Sequence, residues 1–308
     1  MINLLGKRYL FFLISLLVII PGLVVMVIQG GLPLSIDFKG GSLIELQFES
    51  GKTPLTTEVI ETLAGMGITD TQVNTTGDDI LIIRAPFLND ETRTGLVSTL
   101  ETTFNDKIII REFSNVGPSI GAEVTNRAGL AILVAALGVI AFITFAFRGI
   151  QHAFRYGLCA IIAMLHDALI VISVASIGGL FFGWQVDSLF LTAFLTVIGF
   201  SVQDKIVVFD RVRENSTIYR KLPFEKLVNH SIIQTLQRSI NTQLMTSEFM
   251  LLALALFGGV TLREFAVILL VGLFSGTYSS IFIAAPILVV WENKEWRNWF
   301  KRGEAAAA

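Results

Sequence analysis

Six stretches of this chain, near residues 8–28, 127–147, 154–177, 186–208, 237–257 and 264–290, are apolar over the length an α-helix needs to cross a bilayer. A hydrocarbon core of roughly 30 Å takes about 20 helical residues, and in lipid only helices and closed barrels satisfy their own backbone. The fold class that follows is an α-helical polytopic membrane protein with six transmembrane helices. Composition agrees, because 53% hydrophobic against 16% charged residues is a balance that soluble globular domains do not reach. The net charge of -2 comes without a concentrated basic face, which excludes a nucleic-acid partner. Cys159 is the single cysteine and lies in an apolar segment, so no internal disulfide framework is expected and the residue reads as a small packing group.

Charge at the segment ends sets the expected topology. Lys7 and Arg8 precede the first segment, which runs to Ile28 without a small-residue cleavage site and so reads as a retained anchor. Arg148, His152 and Arg155 flank the second connection, Arg211, Arg213, Arg220, Lys221 and Lys226 follow the fourth segment, and Lys294, Arg297, Lys301 and Arg302 follow the last. The positive-inside rule then places both termini in the cytoplasm. The chain divides into residues 1–32 with the first helix, an external domain at 33–125, helices two to six at 126–292 and a cytoplasmic tail at 293–308. An amphipathic connector at 211–236 carries Phe224, Leu227, Val228, Ile232 and Leu236 on one face, as in a helix lying along the membrane surface.

The polar region 33–125 alternates readably: a strand at Ser42–Glu49, a helix at Thr56–Met66, strands at Thr71–Asn74 and Asp79–Ala85, a helix at Asp90–Phe104 and a strand at Lys107–Phe113. This β-α-β-β-α-β order is that of a ferredoxin-like α+β sandwich. The domain has no His and no Cys, and Asp70, Asp78 and Asp79 sit at expected turns, so no catalytic set, cofactor or metal is anticipated and an enzyme is not expected. Gly40-Gly41 in IDFKGG lacks the spacing of a phosphate-binding loop and reads as a tight bend entering the first strand.

Ionisable residues inside membrane segments carry the functional signal. A central Asp or Lys costs about 3 kcal/mol on insertion scales, so retained ones have work to do. Asp204 and Lys205 interrupt the fourth segment, and His166 and Asp167 the third. The fifth segment opens with a stripe of Arg238, Asn241, Thr242, Met245 and Glu248 that must face other helices or water, and the fourth offers Thr192, Thr196, Gln203 and Asp204 to it. Lys205 either lies beside Asp204 and holds it ionised, or extends toward Arg211 and leaves it free; Glu248 is either a second relay point or a partner of Lys205. His166 is either a titrating group or a satisfied interior histidine. Gly272, Gly276 and Ser280 recur every four residues on the sixth segment and permit close helix approach, fixed or sliding.

Four strings in order, IDFKGG (Asp37, Gly40 and Gly41), GPSIG (Gly117, Pro118 and Gly121), DKIVVFDRVREN (Asp204, Asp210, Arg211, Arg213, Glu214 and Asn215) and GTYSSIFIAAP (Gly276 to Pro286), resemble the SecF subunits of the SecD/SecF protein-export family, in the resistance-nodulation-division superfamily. The resemblance covers essentially the whole chain. It implies an accessory role in the Sec translocase, with SecD and the SecYEG channel as partners, emerging preproteins as cargo and the proton-motive force as the energy source. It also implies that Asp204 is protonatable and Arg238 its counter-charge. Gln203-Asp204-Lys205 departs from the family's Asn-Asp-Thr pattern, and Gln243 stands where a small hydroxyl is usual. Two further readings stay open: half of a proton-coupled exporter of small molecules or lipids, and a scaffold that only stabilises the translocase.

Overall fold

The computed structural model describes residues 3–148, 153–242, 249–258 and 260–295. In chain order these form helices α1 (Arg8–Ile28) and α2 (Ile36–Lys39), strand β1 (Gly41–Phe48), α3 (Thr56–Gly65), β2 (Gln72–Thr76), β3 (Ile80–Ala85), α4 (Asp90–Phe104) and β4 (Ile108–Val116). Then follow α5 (Pro118–Ala146), α6 (Ala153–Phe182), α7 (Ser188–Ile218), α8 (Phe224–Ser239), α9 (Phe249–Phe257), α10 (Val260–Ser279), a π-helical turn Ser280–Ala284 and α11 (Ala285–Glu292). The chain separates into two compact units, one of residues 32–131 with 185–188, the other of residues 1–31, 132–184 and 189–308.

The smaller unit is a four-stranded antiparallel sheet in the order β2-β3-β1-β4, with a register shift between Glu45 and Leu46. Alternation along β1 sends Ile44, Leu46 and Phe48 to one face, where they meet Leu81 and Ile83 of β3. Val59 and Leu63 of α3 and Leu96 and Leu100 of α4, each pair four residues apart, close that core. Asn89 caps α4 by accepting from Thr92 N at 2.8 Å, whereas α3 starts after Leu55 with no side-chain cap.

The Gly40-Gly41 bend is tight for two reasons. Both residues have positive φ, 76° and 131°, and a Cβ at Gly40 would stand 2.8 Å from Pro118 Cα. Gly121 returns the contact, since a Cβ there would be 2.6 Å from Gly40 N. Two of the sequence motifs therefore touch through their backbones.

Five helical spans among the described residues are long and apolar enough to cross a membrane: Leu5–Ile28, Pro118–Ala146, Ala153–Phe182, Ser188–Ile218 and Leu262–Glu292. Three boundaries differ from the sequence reading. Helix α5 begins at Pro118, because proline at a first helical turn costs no hydrogen bond. Helix α7 continues through Asp210, Arg211 and Arg213 to Ile218, helped by the exposed Asp210–Arg213 (2.7 Å) and Arg211–Glu214 (2.6 Å) pairs at three-residue spacing. Of the expected segment 237–257, Arg238 lies in the last turn of α8, α9 supplies Phe249–Phe257, and 243–248 fall outside the described residues.

Helix α8 also differs from a surface-lying connector. Its Leu227, Val228 and Ile232 are buried together with Asn229, Ser231, Thr235 and Ser239, a half-polar face that needs protein partners. It finds them in Leu4 N donating to Asn229 Oδ1 (2.9 Å) and Asn215 Nδ2 donating to Ser231 Oγ (2.8 Å).

Candidate functional site

Helices α6, α7, α8 and α10 bring two carboxylates, one ammonium and a set of serine hydroxyls together inside the membrane-spanning unit. Asp167 of α6 is 1% exposed, Lys205 of α7 is 0% and Asp204 of α7 is 5%. Successive helical residues point about 100° apart, so Asp204 and Lys205 face different neighbours.

Lys205 does not pair with Asp204, and Glu248, the other partner weighed from sequence, lies outside the described residues. Lys205 Nζ donates to Asp167 Oδ2 (2.7 Å), to Ser201 O (3.0 Å) and to Ser201 Oγ (2.5 Å), one turn back on its own helix. Asp167 Oδ2 also accepts from Ser201 Oγ (2.6 Å) and Ser279 Oγ (2.6 Å). Its Oδ1 accepts from Ser275 Oγ (2.7 Å), and His166 Nδ1 lies 3.0 Å away. This carboxylate is saturated, and a buried ion pair is favourable only when its remaining lone pairs are satisfied in this way. The reach from α7 to α6 is what the linear sequence conceals.

Asp204 is held differently. Oδ1 accepts from Ser239 Oγ of α8 at 2.8 Å and Oδ2 from Ser280 Oγ at 2.5 Å, and no ion pair to it forms among the described residues. Ser279 and Ser280 are adjacent where α10 passes into the π-helical turn, so one dipeptide serves Asp167 with one hydroxyl and Asp204 with the next. Isolated π-turns occur often at functional sites, because they re-aim side chains without breaking the helix.

The small residues of α10 make this geometry reachable. A Cβ at Gly272 would collide with Val197 of α7, and one at Gly276 would lie 3.4 Å from Ser201 Cα. His166 Nε2 is buried with no hydrogen-bond partner among the described residues, and its ring stacks on Tyr278 at 6.3 Å between centroids.

Other expected site residues lie elsewhere. Arg238, Gln203, Asn241 and Thr242 are exposed, and Arg238 is one residue from the Ser239 that serves Asp204. Glu248, Met245, Gln243, His152, Arg297, Lys301 and Arg302 fall outside the described residues. Arg211 Nε donates to Gln234 Oε1 (2.7 Å), and Asn215 is buried between α7 and α8. In the smaller unit Asp37 Oδ2 accepts from Ser188 N (2.9 Å) and Ser188 Oγ (2.7 Å), and Gly117 precedes Pro118 at the start of α5. Ser201, Ser239, Ser275 and Ser279 were not singled out by sequence; the available signal was four-residue spacing of hydroxyls on α10 at 275 and 279.

Residues 96–294 match the family model of the protein export membrane protein SecD/SecF C-terminal region, and residues 25–52 match the SecD/SecF GG motif. The chain belongs to the SecD/SecF family. It is 67% identical to the protein translocase subunit SecF of Anaerolinea thermophila over the full length of both chains. Identity to that of Thermobaculum terrenum is 46%, over 100% of this chain and 99% of the relative. Among solved structures, the crystal structure of SecDF, a translocon-associated membrane protein from Thermus thermophilus, matches with a TM-score of 0.82 at 32% identity over 95% of this chain. The match takes in 39% of that longer SecDF chain, so this chain spans about two fifths of it. The stretch that matches the GG motif contains the bend at Gly40-Gly41, and the C-terminal family region contains both carboxylates.

Proposed function

We propose that this chain is an accessory subunit of the Sec protein translocase that works with SecD at the SecYEG channel to promote preprotein export, drawing on the proton-motive force. Its family membership and its likeness to named SecF subunits support the role, and SecDF relatives in Thermus thermophilus and Bacillus subtilis support the association with SecD. In this reading the protein is a non-enzymatic, multi-pass component of the bacterial inner membrane, in contact with lipid. It has six spans, cytoplasmic termini and an external ferredoxin-like domain at 33–125, and the β2-β3-β1-β4 sheet order is the one that such a domain requires.

One observation carries the mechanism. Of the two buried carboxylates, Asp167 holds the ammonium, while Asp204 has hydroxyl partners, and no cation, among the described residues. A carboxylate deep in a membrane unit without a cation is the group that gains most from a proton. Asp204 takes up and releases the coupling proton, Ser239 and Ser280 reorient as its charge changes, and Arg238, next to Ser239, supplies the positive charge that favours release. One proton crossing 100 mV is worth about 2.3 kcal/mol, against about 5.5 kcal/mol to invert a two-state equilibrium from 1:99 to 99:1, so each proton biases the cycle.

The test is preprotein completion in vesicles containing this chain, SecD and SecYEG, with ATP exhausted and a proton gradient imposed. Wild type should respond and Asp204→Asn should not, at equal assembly. An equal response in both would remove Asp204 from the coupling path, and no response in either would favour the scaffold reading.

A further inference from the structure

The Lys205 ammonium is enclosed by the kinds of oxygen that an alkali-metal ion also binds. Its Nζ is enclosed by a carboxylate oxygen, a hydroxyl and a main-chain carbonyl, at 2.7, 2.5 and 3.0 Å. These three oxygen types, one negative and two neutral, form the donor set that hard monovalent cations take. The cage is assembled from α6 and α7, is closed to solvent, and is braced by Ser275 on Oδ1 of Asp167 and by Ser279 on the same Oδ2 that takes the ammonium. Membrane insertion disfavours both charges strongly, so a lysine kept at 0% exposure against an aspartate at 1% marks a place where a fixed positive charge is needed.

We infer that the Lys205 ammonium is a tethered monovalent cation, filling a cage of Asp167 and Ser201 where a free sodium or potassium ion would otherwise bind. The tether makes that charge permanent. Asp167 is then a positioning residue that never changes charge, and ion traffic is confined to Asp204; that second consequence rests on the proton-coupling reading above, whereas the cage itself does not.

Removing the tether should uncover the site. Lys205→Ala deletes the ammonium and its stem, leaving room for an ion beside a carboxylate that still accepts from Ser201, Ser275 and Ser279. Purified complex of this chain with SecD, in nanodiscs, is melted in choline, sodium or potassium chloride at equal ionic strength. Lys205→Ala is expected to gain roughly 5 °C on exchange of about 100 mM choline for the better-fitting metal ion, with wild type unmoved. Asp167→Asn/Lys205→Ala, which removes both charges, should fold and lose the response. If Lys205→Ala survives purification only with sodium or potassium present, the inference holds equally. Equal melting of Lys205→Ala in all three salts would overturn it, as would failure to recover that variant in any salt while the double variant folds; either result makes Lys205 and Asp167 a plain ion pair. Because melting is read without a gradient, a wrong assignment of Asp204 would leave these outcomes untouched.

Discussion

The two compact units bury opposite things. In the α+β unit the buried polar side chains among the described residues are Ser35 and Ser42, and the interior is an aliphatic cluster around Ile44, Leu46, Leu81 and Leu100. In the membrane-spanning unit Asp167, Asp204, Lys205 and a series of serines are buried, while Leu17, Phe145, Phe181 and Phe257 are exposed. The difference follows from the solvent. Water drives apolar groups inward at about 25 cal/mol per Å², whereas lipid gives apolar groups no reason to leave the surface and makes a polar group costly anywhere except against protein. One unit is therefore stabilised by exclusion of water and the other by satisfaction of its polar groups.

The largest expected effect comes from breaking that satisfaction. Asp167→Asn leaves Lys205 as an uncompensated buried cation, a loss of about 3–5 kcal/mol that thermal or detergent unfolding of the full chain would measure. Adding Lys205→Ala should return most of it. If the single change is silent, polar satisfaction does not hold the membrane unit together.

A smaller effect is expected in the aliphatic interior. Leu81→Ala, at a fully buried position of β3, should cost about 3 kcal/mol and loosen hydrogen exchange across β1, β3 and β4 while α6 and α7 keep their protection. No second polar substitution should recover it, unlike the Asp167 case. Matching losses of protection in α6 and α7 would contradict the separation of the two interiors.

The smallest effect concerns pH. Burial alone would raise the pKa of Glu295, but hydrogen bonds from Arg8, Asn293 and Tyr9 and the charge of Arg8 outweigh it and hold the carboxyl below the usual glutamate range. A depressed carboxyl contributes stability that is complete above the ordinary value of about 4.3 and is lost as pH falls through the folded-state value. The Arg8–Glu295 pair is partly exposed, so the contribution is small after screening. Glu295→Gln should lower the melting temperature slightly at neutral pH and flatten its fall in acid. A variant that melts as wild type does at every pH would show that the pair adds nothing.

Much of the architecture was readable residue by residue. The strand at Ser42–Glu49, the helix at Asp90–Phe104 and the long apolar runs were each legible, because each signal depends only on neighbours in the chain. Arg238 was harder to place. Its polar stripe continues from α8 toward the fifth apolar segment, and local periodicity alone could not say where one helix stops. The serines at 201, 239, 275 and 279 were illegible as a group, because each is an ordinary small residue until another helix brings a carboxylate to it.

Sequence by itself determined that the chain crosses a membrane, that an α+β domain is inserted into it, and that Asp167, Asp204 and Lys205 lie within the apolar spans, since these depend on composition and on periods of two and 3.6 residues. Tertiary structure alone decided which carboxylate the ammonium neutralises. Asp204 and Lys205 are neighbours in the chain yet point about 100° apart, so the partner of each is set by which helix packs on its side. The absence of side chains at Gly272 and Gly276 lets α10 approach α7 closely enough to place Ser279 and Ser280 on the two carboxylates.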